Sequence, residues 1–131
     1  MSKYKVEIIE NSRLKEHEEI NRDHLAELLA QIKKDGCVKN PIIVDKDTMV
    51  ILDGHHRFNC VKELGLRFCP ACLVDYQCPG IKVCAWRKGT TVTKADVLRA
   101  GTTGKKLTPK TSRHLIPNRP TGLNTPLSAL K

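Results

Sequence analysis

Ile51-Leu52-Asp53-Gly54-His55-His56-Arg57-Phe58 is the stretch on which the reading of this chain turns. It closes an apolar run. Pro41-Ile42-Ile43-Val44-Asp45 and Met49-Val50-Ile51-Leu52 read as two β-rich segments around the turn Asp45-Lys46-Asp47-Thr48. Beyond Gly54, Phe58, Val61 and Leu64 recur with charges between them, the spacing of one helix face. The polar pentad from Asp53 to Arg57 therefore sits where a strand ends and a helix begins. Free backbone N–H groups and the positive end of the helix dipole project at such a junction, which favours an anion. Gly54 permits a sharp turn, and His55, His56 and Arg57 add side-chain donors. The expected ligand is a nucleotide phosphate. Asp53 has a plainer alternative as the cap of the following helix.

Working outward, Tyr4 to Ile9 alternates and predicts a first strand. Asn21 predicts the N-cap of a helix from about Arg22 to Lys34, with Leu25, Leu28, Leu29 and Ile32 on one face and Gly36 as its stop. Residues 72–76 and 81–86 read as further strands, and Thr93 caps a short helix over residues 94–100. From Gly101 the chain turns rich in Thr, Gly, Pro and Lys with little periodicity, and reads as irregular.

At 131 residues and 40% hydrophobic, the chain has the size and composition of one domain, with a core drawn mainly from Leu, Ile, Val and Ala because aromatics are only 4%. No apolar run approaches the ~20 residues that span a bilayer. The start, Met-Ser-Lys-Tyr-Lys, lacks the apolar core of a secretion signal, so a cytoplasmic location and no membrane partner are expected. The net charge of +9 is skewed, with ten Lys and Arg against Asp96 alone after residue 86. That skew suits a C-terminal segment folding over phosphorylated ligands, and charge alone would equally suit nonspecific nucleic acid. Within the segment, Lys110-Thr111-Ser112-Arg113-His114 packs two cations, two hydroxyls and an imidazole behind Pro109, a cluster able to clamp a phosphate or carboxylate.

The pentad, set between Pro41-Ile42-Ile43-Val44-Asp45 and Lys62-Glu63-Leu64-Gly65, resembles the ParB/sulfiredoxin superfamily. Within it the chain is most similar to the free serine kinases, which phosphorylate L-serine with ADP as donor. His17-Glu18-Glu19, Ala85-Trp86-Arg87, residues 110–114 and a tail ending Asn124-Thr125-Pro126-Leu127 extend the match in the family's order. The resemblance implies a compact α/β domain over residues 1–131, with a small mixed sheet and flanking helices, and with 101–131 a basic segment closing over the ligand. It implies that Glu18 accepts the serine hydroxyl proton, with Asp53 as a second catalytic residue. Gly54, His55, His56 and Arg57 would hold the diphosphate, with Mg²⁺ sharing its charge. Trp86, Lys110, Thr111, Ser112, Arg113 and His114 would enclose free L-serine or O-phospho-L-serine; Ser112 stands where the family often has Thr. ADP rather than ATP, and a role in cysteine synthesis, come from the resemblance alone.

The alternative is a ParB-like nucleotide-binding regulator with nonspecific nucleic-acid contacts. A helix-turn-helix module after the nucleotide domain would mark a specific DNA reader, and none fits the Thr/Gly/Pro-rich C-terminal third. A sulfiredoxin-like reductase would need Cys where His55 stands. Cys69-Pro70-Ala71-Cys72, with Cys78 and Cys84 beyond, has knuckle-like spacing, but no second CxxC follows. Free thiols and no structural zinc are expected.

Overall fold

The computed structural model describes residues 4–86, 89–108 and 111–131. Among the described residues, eight strands and three α-helices follow one another as β1 (Lys5–Glu10), α1 (Arg22–Asp35), β2 (Cys37–Val38), β3 (Ile42–Asp45), β4 (Ile51–Asp53), α2 (His55–Glu63), β5 (Phe68–Val74), β6 (Lys82–Ala85), α3 (Lys94–Thr103), β7 (Ser112–Leu115) and β8 (Thr125–Pro126). A mixed sheet in the order β1-β5-β3-β4 forms the centre. β3 and β5 run parallel, β3 and β4 antiparallel, and β1 and β5 antiparallel. The parallel pair arises because α2 carries the chain back across the sheet between β4 and β5, the crossover that parallel neighbours need.

β3 is buried at all four residues, which explains its continuous apolar run. Ile42 and Val44 face one cluster with Ile51, Phe58 and Val61 of the β4–α2 unit and with Leu25 and Ile32 of α1. Ile43 faces the other cluster, with Leu52, Cys72, Val97 and Ile116. The sheet thus has α1 and α2 on one side, and α3 with the antiparallel β6–β7 pair on the other. The turn into β4 is closed by Thr48, whose Oγ1 donates to Asp45 Oδ2 at 2.6 Å. The Asn21 side chain accepts from the backbone N of Asp23 and His24, and Gly36 ends α1 in the left-handed region, as the local signals require.

Three expectations need correction. The strand expected over residues 72–76 starts at Phe68. Pro70 is tolerated there because β3 pairs with β5 only from Ala71 onward, so toward β3 Pro70 has no ladder bond to lose. α3 runs past Ala100 to Thr103, and Gly101 lies inside it, because a Cβ there would meet Val50 Cγ1 and Cγ2 at 2.7 Å. The segment after residue 101 is not irregular throughout. β7 pairs antiparallel with β6, Ala85 opposite Ser112, and β8 pairs with β2, docking a last turn whose Leu130 is fully buried. Among the described residues, no helix is long and apolar enough to cross a membrane.

Candidate active site

Glu18 is held by its neighbours on both sides. Lys15 N donates to the Met49 carbonyl, and Ile51 N to the Lys15 carbonyl, which lays the chain before Glu18 along β4. Across from this, Leu107 N donates to the His17 carbonyl at 2.8 Å and Glu19 N to the Leu107 carbonyl at 2.7 Å. α2 supplies two further ties. His55 Nε2 accepts from His17 N at 3.1 Å, and His56 Nε2 accepts from Asn21 N at 3.0 Å. Both Nε2 atoms are therefore occupied as acceptors, which leaves Nδ1 as the donor nitrogen of each neutral ring, and the histidine pair staples the 17–21 loop to α2. Burial first, and then the neighbouring imidazoles, push His55 well below the usual histidine range, so it is neutral.

The Glu18 carboxylate accepts from Ser112 Oγ at 2.8 Å, from Ser112 N at 3.4 Å and from Thr111 N at 3.3 Å. Burial opposes its charge, but the hydrogen bonds from His17 and Ser112 outweigh this and hold it below the usual glutamate range. Two expectations change accordingly. Ser112 faces Glu18, with its hydroxyl engaged, rather than standing free to clamp a ligand. Thr111 turns its hydroxyl to Thr108 and gives Glu18 its backbone N–H. Lys110 lies outside the described residues, as does Arg87.

The N-terminus of α2 opens onto the same space. Gly54 has φ +99°, and a Cβ on it would come within 2.7 Å of Ile42 Cγ2, so geometry and space both demand glycine. No side chain caps α2. Asp53 instead pairs with Arg119 at 2.7 Å, which removes the capping alternative. Burial again opposes the Asp53 charge; Arg119 and then Arg57 overcome it and hold the carboxyl below its usual range. Arg57 is held below the usual arginine range by burial, its Nε has no hydrogen-bond partner among the described residues, and its NH2 group reaches the Pro41 carbonyl only at 3.5 Å. A cation left so poorly satisfied is prepared for an anion.

A cavity of about 420 Å³ unites Glu18, Asp53, Gly54, His55, His56 and Arg57 with Trp86, Ser112, Arg113 and His114. Of the expected site residues, Thr111 stands behind this wall and Lys110 is undescribed. Trp86 donates from Nε1 to the Ser112 carbonyl at 2.8 Å, and the Arg113 guanidinium lies 5.1 Å from its ring centre. His114 Nε2 is 2.8 Å from the Tyr76 hydroxyl. Burial lowers His114 to about 4, so it adds no cation near neutral pH. Sequence reasoning missed His17, fully buried beside Glu18, and Arg119, whose partner lies across the fold. His17 sat in a quoted motif without a role; Arg119 carried no local signal.

Cys69 and Cys72 point to opposite faces of β5, one into each core cluster. Two residues so arranged cannot share one tetrahedral ion. Burial raises the thiols of Cys60 and Cys72 to about 11 and that of Cys69 to about 12. No group of three His, Cys, Asp or Glu among the described residues could hold a metal by itself.

The chain belongs to the ParB N-terminal domain family, whose model matches residues 1–81. A "ParB-like protein" of Sulfolobus acidocaldarius is 39% identical over 88 residues, 67% of this chain and 44% of that protein. An "ATP-dependent L-serine kinase" of Staphylothermus marinus is 39% identical over 83 residues, 60% of this chain and 33% of that protein. An "ADP-dependent L-serine kinase SerK" of Thermococcus kodakarensis is 29% identical over 82 residues, 60% of this chain and 34% of that protein. The matches thus cover a third to under half of these relatives' length. A solved free serine kinase in complex with AMP shares the fold with a TM-score of 0.88 at 17% identity, covering 98% of this chain and 93% of the other.

Proposed function

We propose that the protein phosphorylates the hydroxyl of free L-serine, with an adenine nucleotide as donor. The observation that carries this reading is one cavity holding both a fixed carboxylate, Glu18, and an uncapped helix N-terminus with the poorly satisfied cation Arg57. Phosphoryl transfer asks for little else: positioned phosphates, stabilised charge and a group to take the hydroxyl proton. The N–H groups of α2 and Arg57 bind the phosphates; Glu18 faces the amino acid, and Trp86 and Arg113 close its side of the cavity. The positive charge of the 101–131 segment serves these small anions, closing over the ligand, rather than a specific nucleic acid.

Mg²⁺ would supply charge neutralisation when it arrives with the nucleotide, and Asp53, which lines the cavity at the α2 N-terminus, is the carboxylate that would assist it. The donor is ADP, giving AMP. The second reading, ATP giving ADP, is favoured by two relatives named ATP-dependent at 39% and 37% identity, against 29% for the one named ADP-dependent.

Incubation with Mg²⁺, L-serine and ADP or ATP in turn, read by mass spectrometry, tests both. O-phosphoserine with AMP supports the first reading and O-phosphoserine with ADP from ATP the second; no phosphoserine with either nucleotide overturns the proposal. Glu18→Gln, which keeps shape but not basicity, should cost roughly 10²–10⁴-fold in turnover at near-constant nucleotide KM. Glu19→Gln is the control. An active Glu18→Gln beside a dead Glu19→Gln would transfer the role to the neighbour.

A further inference from the structure

Beside the Glu18 carboxylate stand two further polar groups, His17 and Ser112. His17 Nδ1 lies 2.6 Å from the Ile51 carbonyl, which can only accept, so Nδ1 carries a proton. His17 Nε2 then faces Ser112 Oγ at 2.9 Å and lies 3.5 Å from Glu18 Oε2 itself, while Ser112 Oγ faces Glu18 Oε2 at 2.8 Å, so the short contacts run through Ser112. When Glu18 is ionised and His17 carries only its Nδ1 proton, the only proton left for these two contacts is that of the Ser112 hydroxyl. It can serve Glu18 or His17, never both, and one pair of lone pairs is left opposed. One extra proton satisfies the whole row. Either Glu18 O–H donates to Ser112 Oγ and Ser112 O–H to His17 Nε2, or His17 Nε2–H donates to Ser112 Oγ and Ser112 O–H to Glu18.

We propose that Glu18, Ser112 and His17 form a proton relay that takes up the proton of the substrate hydroxyl. The proposal rests on the kinase reading. As the serine oxygen forms its bond to phosphorus, the bond to the leaving nucleotide oxygen breaks and that oxygen keeps the electron pair. The hydroxyl proton passes to Glu18, the Glu18 proton to Ser112 Oγ, and the Ser112 proton to His17 Nε2; reversal of the row to solvent after product leaves resets it. His17 is fully buried, so the stored proton is shielded from water. The groups facing it are Glu18 and Ser112, the His55 ring at 4.5 Å from α2 and the His114 ring at 5.8 Å from β7. Lys106, next to Leu107 on the segment paired with His17, is turned to Glu16 at 3.8 Å. Ser112 and His17 are thus positioning residues, acting through Glu18.

The test pairs kinetics with a readout that needs no turnover. Ser112→Ala and His17→Gln should lower kcat by about tenfold or more with both KM values little changed, and Ser112→Thr, which keeps the hydroxyl, should recover most of it. Loss of the second proton site should also move the acid limb of the kcat–pH profile down by about one unit in His17→Gln, as expected when a coupled titration is broken. Nitrogen-15 NMR of the full chain should show His17 protonated at Nδ1, with Nε2 taking the second proton at lower pH in Glu18→Gln than in the wild type. Nε2–H with bare Nδ1 at neutral pH overturns the relay, whether or not His17→Gln folds. Phosphoserine production with Ser112→Ala at wild-type kcat overturns the relay and leaves the kinase reading standing. A correct NMR pattern in a protein that makes no phosphoserine overturns the kinase reading, and with it the catalytic use of the relay.

Discussion

Replacing Arg57 by methionine separates what the residue does for the ligand from what it does for the fold. Its guanidinium is largely buried, has an Nε without a partner and makes one long contact to a backbone carbonyl. Asp53 keeps its 2.7 Å bond to Arg119 without it. What the native fold gains from this charge comes chiefly through Asp53, which Arg119 still pairs, and an apolar side chain of similar length avoids its desolvation. Unfolding of Arg57→Met without nucleotide should accordingly occur at the wild-type midpoint or slightly above it. A phosphate on Arg57, by contrast, makes charge-assisted hydrogen bonds of about 1.5–3 kcal/mol, which at 1.4 kcal/mol per decade is about a 10–150-fold rise in nucleotide KM. Steady-state kinetics with nucleotide and serine varied in turn provides the assay, beside thermal melts with and without nucleotide. Serine KM should change little, and the stabilisation by nucleotide should shrink in proportion to the lost affinity. A KM rise confined to serine would place Arg57 in the other pocket. A large drop in the nucleotide-free midpoint would mean that the guanidinium supports the fold, and would refute the reading of it as an unsatisfied cation awaiting an anion.

Gly101→Ala should destabilise the fold by about 1–3 kcal/mol, since the added methyl lands 2.7 Å from Val50, and denaturant titration should show this without a change in nucleotide KM. His114 has its folded-state pKa lowered to about 4 from 6.5, so between those values the unfolded chain binds the extra proton. Stability should fall as pH drops through that window, and His114→Gln should flatten this part of a stability–pH curve measured by denaturant melts. Asp53 titrates below its usual range because of Arg119 and Arg57, so its contribution is present above the unfolded-state value and is lost as pH falls through the folded one. Arg119→Met should weaken that acid dependence, which the same melts would reveal; an unchanged curve would mean that the Asp53–Arg119 pair is absent in solution.

The β3–β4–α2 unit was legible in the chain because its signals are local. A buried apolar run, a four-residue turn and a glycine at a strand–helix junction each act within a few residues, and the Asn21 cap and Gly36 stop of α1 are of the same kind. The strand-to-helix junction at Asp53 to Arg57 followed from the local pattern alone. β7 was not legible. Its inward residues, Ser112 and His114, are polar, so the strand shows no apolar alternation although its burial alternates cleanly through Ile116. Those polar residues turn inward because their partners are there: Glu18 and His17 for Ser112, and Tyr76 for His114. The Asp53–Arg119 pair and the contact of Gly101 with Val50 likewise join residues far apart in the chain. Only the family resemblance could nominate Glu18 as a base. Only the tertiary fold could decide that its hydroxyl donor would come from Ser112 and that a buried histidine would wait behind that hydroxyl, because a hydrogen-bond row is set by where distant backbones meet, and no local pattern encodes that meeting.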